Sequence, residues 1–308
     1  MVQTFDPAKV MLADTVGKEV TNNLITAEFV RELANVSKVI QLGERIEMGN
    51  QYIKKVKAID GELSDAYFVG EGEKIGIANV ATKDYTLETK KVAVILPVTQ
   101  EFLTYTWSQY FEEVKPLIVD KFNKVIDGDV FLGLHGNTFG TNVDALATAN
   151  DPVTGGVTFD NLITVESLVD SDPTAFVGHR SINTALRGSY DENTKTYLFD
   201  RNTNTLDGLP YHELKLAKGV TYPANTLFVG DFKAIKYGLP QGTGLRLKLA
   251  DQATLSKVQN AGPDSGDVHL FEQDMMALRA IFEIAVAIPN EKAFAKLDTE
   301  KVADEPEV

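Results

Sequence analysis

The chain of 308 residues has no cysteine, one tryptophan and four histidines. Without cysteine neither a disulfide framework nor a thiolate metal site can form, which suits assembly in a reducing cytoplasm. Surplus positive charge is also missing. Lys and Arg number 30 against 44 Asp and Glu, a formal net charge of −14, so no broad basic surface is available to neutralise phosphates. No stretch approaches the roughly eighteen consecutive apolar residues of a membrane helix; the richest window, 281–288, is short and interrupted by Glu283. The first ten residues mix Gln3, Asp6, Pro7 and Lys9 among apolar ones, unlike the continuous apolar segment of a secretion signal, and export by that route is not expected.

What is present describes a folded protein. Hydrophobic residues make up 44% and charged residues 24%, close to a globular average. The length exceeds the roughly 250 to 300 residues at which a single core stops growing, so two lobes or an elongated body is expected. Residues 26–34 carry Ala27, Phe29, Val30, Leu33 and Ala34 at helical spacing behind Thr26, a short amphipathic helix. The weakly periodic segment before it reads as an extended arm. Strands are expected at 52–59, at 85–87 and at 92–96, the last closed by Pro97. Between them, 61–84 is rich in glycine and charge and reads as a long hairpin with few residues able to fill a core.

From 108 to 132 the positions Phe111, Val114, Ile118, Phe122, Val125, Ile126 and Val130 trace one face of a long helix capped by Ser108. Pro116 is expected to kink it or break off its first part, and Gly128 and Gly133 mark its far end. A loop-rich boundary follows, then a helix at 159–169, strands at 175–177, 196–199 and 226–229, and a helix capped by Asp231 that runs to Tyr237. The closing β-rich run, 268–288, is weakest at 274–278 and stops at Pro289.

Candidate chemistry is sparse. His135, His179, His212 and His269 are far apart and lack metal-site spacing, so structural roles are expected. Gly242 and Gly244, like Gly70 and Gly72, complete no dinucleotide or phosphate-loop fingerprint. Asp127 and Asp129 flank Gly128 like the start of a calcium loop, but the downstream acidic ligand is missing. A solvated helix end is the expectation there. Glu112 and Glu113 diverge on a helix and read as surface charge. No nucleophile turn with Ser, His and Asp partners occurs; no cofactor or metal is expected, and an enzyme is disfavoured.

The order of arm, long hairpin, long helix, mixed lobe and returning β-run resembles the major capsid proteins of tailed bacteriophages, the Hong Kong ninety-seven fold. Local patterns follow the same order. Ala66-Tyr67-Phe68-Val69-Gly70-Glu71-Gly72 is similar to the family's extended-loop signature, and Lys90-Lys91-Val92-Ala93-Val94 with Val98-Thr99-Gln100-Glu101-Phe102-Leu103 to its exit. Ile126-Asp127-Gly128 with Phe131-Leu132-Gly133 resembles the end of the spine helix, and Leu206-Asp207-Gly208-Leu209-Pro210 and Gly230-Asp231-Phe232 resemble mid-domain turns. Ala277-Leu278-Arg279 and Pro289 with Ala293-Phe294-Ala295 resemble the closing strand and tail.

The resemblance implies an α+β fold with an N-terminal arm, an extended β-hairpin loop, a long spine helix and a mixed α/β axial domain. It divides the chain into arm and short helix (1–60), extended loop (61–97), peripheral domain (98–136 and 268–289) and axial domain with tail (137–267 and 290–308). It also implies a structural virion protein whose hexamers and pentamers close an icosahedral shell around double-stranded DNA that is enclosed without sequence-specific binding. The implied partners are further copies of the chain, a separate scaffolding protein and a portal protein, with no membrane; assembly is expected in the host cytoplasm. Tyr67, Phe68, Glu71, Lys74, Ile75, Ile77 and Lys83 are the expected contacts between subunits, without covalent linkage through the loop lysines. Phe111, Ile118, Phe122 and Ile126 are the expected core of the spine helix. The rival readings are an encapsulin-like nanocompartment shell or a tail-tube protein and, more distantly, a hydrolase with a dispersed site.

Overall fold

A computed structural model describes residues 32, 36–59, 68–72, 74, 82–191, 195–216, 225–240, 245–250, 252–255 and 268–299; the helix expected at 26–34 lies almost wholly outside them. The chain divides into two compact units. One comprises Met1–Val36, Lys91–Phe122 and Gln241–Glu283, the other Ser37–Lys90, Asn123–Pro240 and Ile284–Val308.

The longest helix, Gln100–Leu132, spans 33 residues with Pro116 inside it. It starts eight residues before the expected Ser108 cap; elongation from an existing turn is far easier than nucleation. Pro116 is expected to kink or break the helix, yet the helix runs through it without a break. Its missing amide removes one i→i−4 bond, and the buried neighbours Val114, Ile118 and Val119 hold the turn in place. Ile118, Phe122 and Ile126 are buried as the periodicity demands; the Phe111 side chain lies outside what is described. Gly128 is not the helix end but an interior position packed against Leu134 and Leu216. Gly133 is the end: its φ of +63° closes the helix, and a Cβ there would meet the Asn142 amide at 2.7 Å.

In the unit containing Lys91–Phe122, Leu245–Ala250 pairs antiparallel with the first part of Met275–Ala287, from Leu245 opposite Phe282 to Ala250 opposite Ala277. Phe122 stacks on Phe282 at 6.3 Å between ring centroids. Two charges are buried there with partners: Glu283 with Arg246 and with Lys91 at 3.6 Å, and Lys115 with Glu32 at 3.0 Å. The break in the closing β-run falls just before Met275, where Asp274 takes a φ of +51°, rather than through 274–278; the residues after it pair with Leu245–Ala250 and are strand despite their weaker propensity.

The other unit is built on a sheet in the order Val153–Thr154, Phe294–Asp298, Thr226–Gly230, Ala175–His179, Leu209–Leu214, Thr205–Leu206, Phe199–Asp200. Alternation along Thr226–Gly230 sends Leu227 and Val229 to one face, against Leu162 and Val165 of helix Phe159–Ser167. Phe228 points to the other face, 6.4 Å from Phe131 of the long helix. Burial on both faces explains why these strands read as continuous apolar runs. Phe232 fills the space between Phe131 and Phe294, at 6.0 and 5.3 Å. The helix expected from Asp231 to Tyr237 is only a 3-10 turn, Phe232–Ala234, capped by the Asp231 carboxylate; Lys236–Leu239 instead pairs as a strand with Glu44–Glu47 and with the end of Met275–Ala287.

Two expected strands are one. Thr82–Thr99 is a single strand of 18 residues, and Pro97 does not end it. Its first half pairs with Ile53–Ile59, from Ile53 opposite Glu88 to Ile59 opposite Thr82, forming the base of the expected hairpin. Leu87, Met48 and Ala285 bury one side of that base. On the other side Ile53, Lys55, Lys57, Asp84, Thr86 and Glu88 face solvent.

Asp127 and Asp129 are not a solvated helix end. Both are nearly inaccessible, at 2% and 3% exposure. Asp127 accepts from the Ser37 hydroxyl (2.7 Å) and from the backbone amides of Lys38 (2.9 Å) and Val39 (3.2 Å). It thereby caps the first turn of helix Lys38–Leu42 together with Ser37. Asp129 accepts from the amides of His135 (3.0 Å) and Thr138 (2.8 Å) and fastens the loop beyond the helix.

Two consequences can be measured. Replacing Phe122 or Ile126 by Ala empties a buried site and is expected to cost about 2 to 5 kcal/mol in denaturant unfolding; a variant that melts like the parent would show that the face is not core. Burial pushes the Asp127 carboxyl up to about 6, against the lowering effect of its three hydrogen bonds and of Lys38. Because the folded state then holds this proton more tightly than the unfolded chain, ionised Asp127 costs stability above pH 6, and that cost is relieved as pH falls from about 6 towards 4. The histidines His179 and His212, both held below their ordinary value by burial, act oppositely over the same range. The comparison is therefore with Asp127→Asn: wild type should gain roughly 1 kcal/mol relative to that variant between pH 7 and pH 5. Equal pH dependence of the two proteins would refute it.

Candidate functional site

The residues expected to form contacts between subunits fall on and beside the hairpin whose base is Ile53–Ile59 and Thr82–Glu88. Phe68 is fully exposed, and Val69, Glu71 and Lys74 are also exposed; Tyr67, Ile75 and Ile77 lie outside the described residues. Lys83 is placed differently from the others. It sits at the hairpin base and pairs at 2.7 Å with Glu291 of the same chain, with both side chains reaching solvent, so that screening leaves the pair little weight in stability. An aromatic ring held out in water, as Phe68 is, leaves a large apolar area available for a partner.

The histidines are dispersed and locally engaged. The His179 ring accepts from the Ser181 amide at 3.2 Å and caps the 3-10 turn Arg180–Ile182, and the His269 ring lies 3.0 Å from the Thr254 hydroxyl. Tyr211, held above its ordinary value mainly by burial, donates to Asn183 at 2.9 Å, and Asn183 donates to Glu213 at 3.1 Å. This chain of bonds ties helix Asn183–Gly188 to the sheet. No group of three or more His, Cys, Asp or Glu that could hold a metal occurs among the described residues, and none of their helices is long and apolar enough to cross a membrane.

A second exposed apolar surface was not anticipated. Phe159 and Ile163 on helix Phe159–Ser167, with Tyr190 and Tyr197 from the paired strands Tyr190–Asp191 and Thr196–Tyr197, all remain accessible. Periodicity assigns Phe159 and Ile163 to the same helical stripe as the core residue Leu162, yet both remain accessible while Leu162 is buried. The signal available in advance was the pair of tyrosines flanking a polar turn.

The model of the phage capsid family matches residues 17–299. A major capsid protein of Staphylococcus phage 80alpha is 37% identical over 299 residues, covering 96% of this chain and 89% of that protein. In fold, the chain is similar to solved proteins of Microbacterium phage Oxtober96 (TM-score 0.64, 19% identity, 86% of this chain and 91% of that one) and Mycobacterium phage Adephagia (0.65, 20%, 86% and 90%). The capsid chain of an empty GTA particle superposes with a TM-score of 0.59 at 12% identity, covering 86% of this chain and 90% of that one. With the family model spanning almost the entire sequence and the same mixed helix and sheet fold beneath it, the chain belongs to the phage capsid family.

Proposed function

We propose that this protein is the repeating subunit of an icosahedral phage shell, in which copies associate as hexamers and pentamers around packaged double-stranded DNA. The observation that carries this reading is the 37% identity to a major capsid protein over 96% of the chain, and it supports a structural role rather than an enzymatic one. A separate scaffolding protein and a portal are its proposed assembly partners, and the host cytoplasm its site of assembly. Residues 61–97 serve as the extended loop, 98–136 with 268–289 as the peripheral domain and 137–267 with 290–308 as the axial domain.

The physics of the subunit supports self-association. Exposed apolar groups, Phe68 foremost, gain about 25 cal/mol for each Å² removed from water, and a neighbouring copy removes it. Such contacts are individually modest; a shell multiplies them over every subunit. The acidic balance, −14, lets DNA lie inside without being gripped, since phosphates repel a like-charged wall.

Two experiments test the reading. Electron microscopy of the protein produced with its scaffolding partner should show large closed shells; tubes, or small shells that form around a cargo protein, would overturn it. Replacing residues 69–80 by a tight turn should leave the melting temperature of the isolated subunit nearly unchanged, because loop length adds little to closure entropy, while particle yield by sedimentation collapses. Normal assembly of that variant would remove the loop from the contact between subunits, and failure of the variant to fold would place the loop in the subunit's own core.

A further inference from the structure

Strand Ile53–Ile59 is the last strand of its sheet. Among the described residues its one neighbour is Thr82–Thr99, so its other long edge has no ladder. Which backbone groups that edge carries follows from the register. The Thr89 amide donates to the Tyr52 carbonyl at 2.9 Å, and this pair continues the alignment in which Ile53 lies opposite Glu88 and Ile59 opposite Thr82. Hydrogen-bonded pairs alternate with non-bonded ones in an antiparallel ladder. Lys54, Val56 and Ala58 therefore direct their N–H and C=O groups to the neighbouring strand, and Ile53, Lys55 and Lys57 turn theirs outward.

The same three residues have exposed side chains. The strand carries Lys54, Lys55 and Lys57 and no acidic residue, in a chain whose formal net charge is −14. Lys54 donates to the Glu47 carbonyl oxygen, but among the described residues Lys55 and Lys57 have no ion-pair partner. Lys57 stands opposite Asp84 at a non-hydrogen-bonded position, where cross-strand side chains come closest, and still no ion pair joins them. An open edge of this length is a template for a further strand, and lysines on it oppose any strand of like charge. Two copies of Ile53–Ile59 thus repel one another. A strand with carboxylates at alternate positions is attracted instead.

We propose that this edge binds an extended acidic segment of another protein, which adds to the sheet as a further strand beside Ile53–Ile59. The backbone of the segment exchanges hydrogen bonds with Ile53, Lys55 and Lys57, and acidic side chains two residues apart lie beside Lys55 and Lys57 on the solvent face. Main-chain bonds give such a contact its affinity, and the alternating side chains give it specificity. Nucleic acid fits less well: its phosphates satisfy the lysines but leave the row of outward N–H and C=O groups unmatched. The contact goes beyond the shell reading and does not depend on it.

The test uses the full chain and a synthetic peptide of alternating Glu and Val long enough to span Ile53–Ile59, with fluorescence anisotropy reporting binding and hydrogen exchange reporting its place. Saturable binding is expected, with exchange at the Ile53, Lys55 and Lys57 amides slowed at least about ten-fold and that at Lys54 and Val56, already in the ladder, unchanged. Lys55→Pro should bind at least about ten-fold more weakly than Lys55→Ala, because only proline removes the outward N–H, and both should melt near wild type because that N–H serves no ladder. Independently, Lys55→Glu with Lys57→Glu should lose the Glu and Val peptide by at least about ten-fold and gain one of alternating Lys and Val. No binding of the acidic peptide, or equal binding of the basic one to wild type, would overturn the proposal. Equal affinities for the Pro and Ala variants would reduce the contact to charge attraction and overturn strand addition. Slowed exchange at the same amides in shells of this chain alone would assign the edge to a neighbouring copy and overturn the choice of partner. Because the peptide measurements need no particle, failure of the shell reading is told apart from failure of this one.

Discussion

The long helix buries an apolar face from Val114 to Phe131, and residues of both compact units are built on it. Val114, Ile118 and Phe122 serve the core of one unit, and Ile126, Val130 and Phe131 serve the core of the other. A helix this long has no stability of its own sufficient to carry an interior proline, which costs about 3 kcal/mol; packing supplies it. Phe131 illustrates how much rests on single positions, since its ring meets both Phe228 of the central sheet and Phe232 of the following turn.

The polar interior follows the same logic in reverse. Asp127 and Asp129 are carboxylates that accept hydrogen bonds from backbone amides and, for Asp127, one hydroxyl, so each substitutes for water at the end of a chain segment. Asp127 does this at a cost that its raised pKa records, and the return is a fixed start for helix Lys38–Leu42. Glu283 and Lys296 are likewise buried but have cationic or acidic partners, Arg246 and Lys91 for the first, Asp144 and Asp298 for the second. Removing one member of such a pair is more damaging than never having had it.

A subunit of this kind leaves its functional chemistry outside. The hairpin and the surface around Tyr197 both leave aromatic groups exposed, Phe68 on the first, Tyr190 and Tyr197 on the second. Strength from many modest contacts is compatible with correction of errors during assembly, since a misplaced subunit held by a weak contact can leave.

The local features were legible in the sequence for a definite reason: periodicity and turn chemistry act over a few residues. The face running through Ile118, Phe122 and Ile126, the strands at Ile53–Ile59 and Thr226–Gly230, and helix Phe159–Ser167 all follow from spacing alone, and the order of motifs identified the family. What the tertiary structure decided depends on partners distant in sequence. Asp127 reads as a solvated helix end until Ser37, 90 residues earlier, brings its hydroxyl and the next two amides to it. Pro97 reads as a strand end and Pro116 as a kink or break, yet Thr82–Thr99 and Gln100–Leu132 each run through theirs, and the segment after Asp231 turns from helix to strand because Glu44–Glu47 and the end of Met275–Ala287 offer ladders on both sides. Exposure of Phe159 and Ile163 was invisible for the same reason: a stripe can be read from spacing, but which of its residues are covered depends on partners far along the chain.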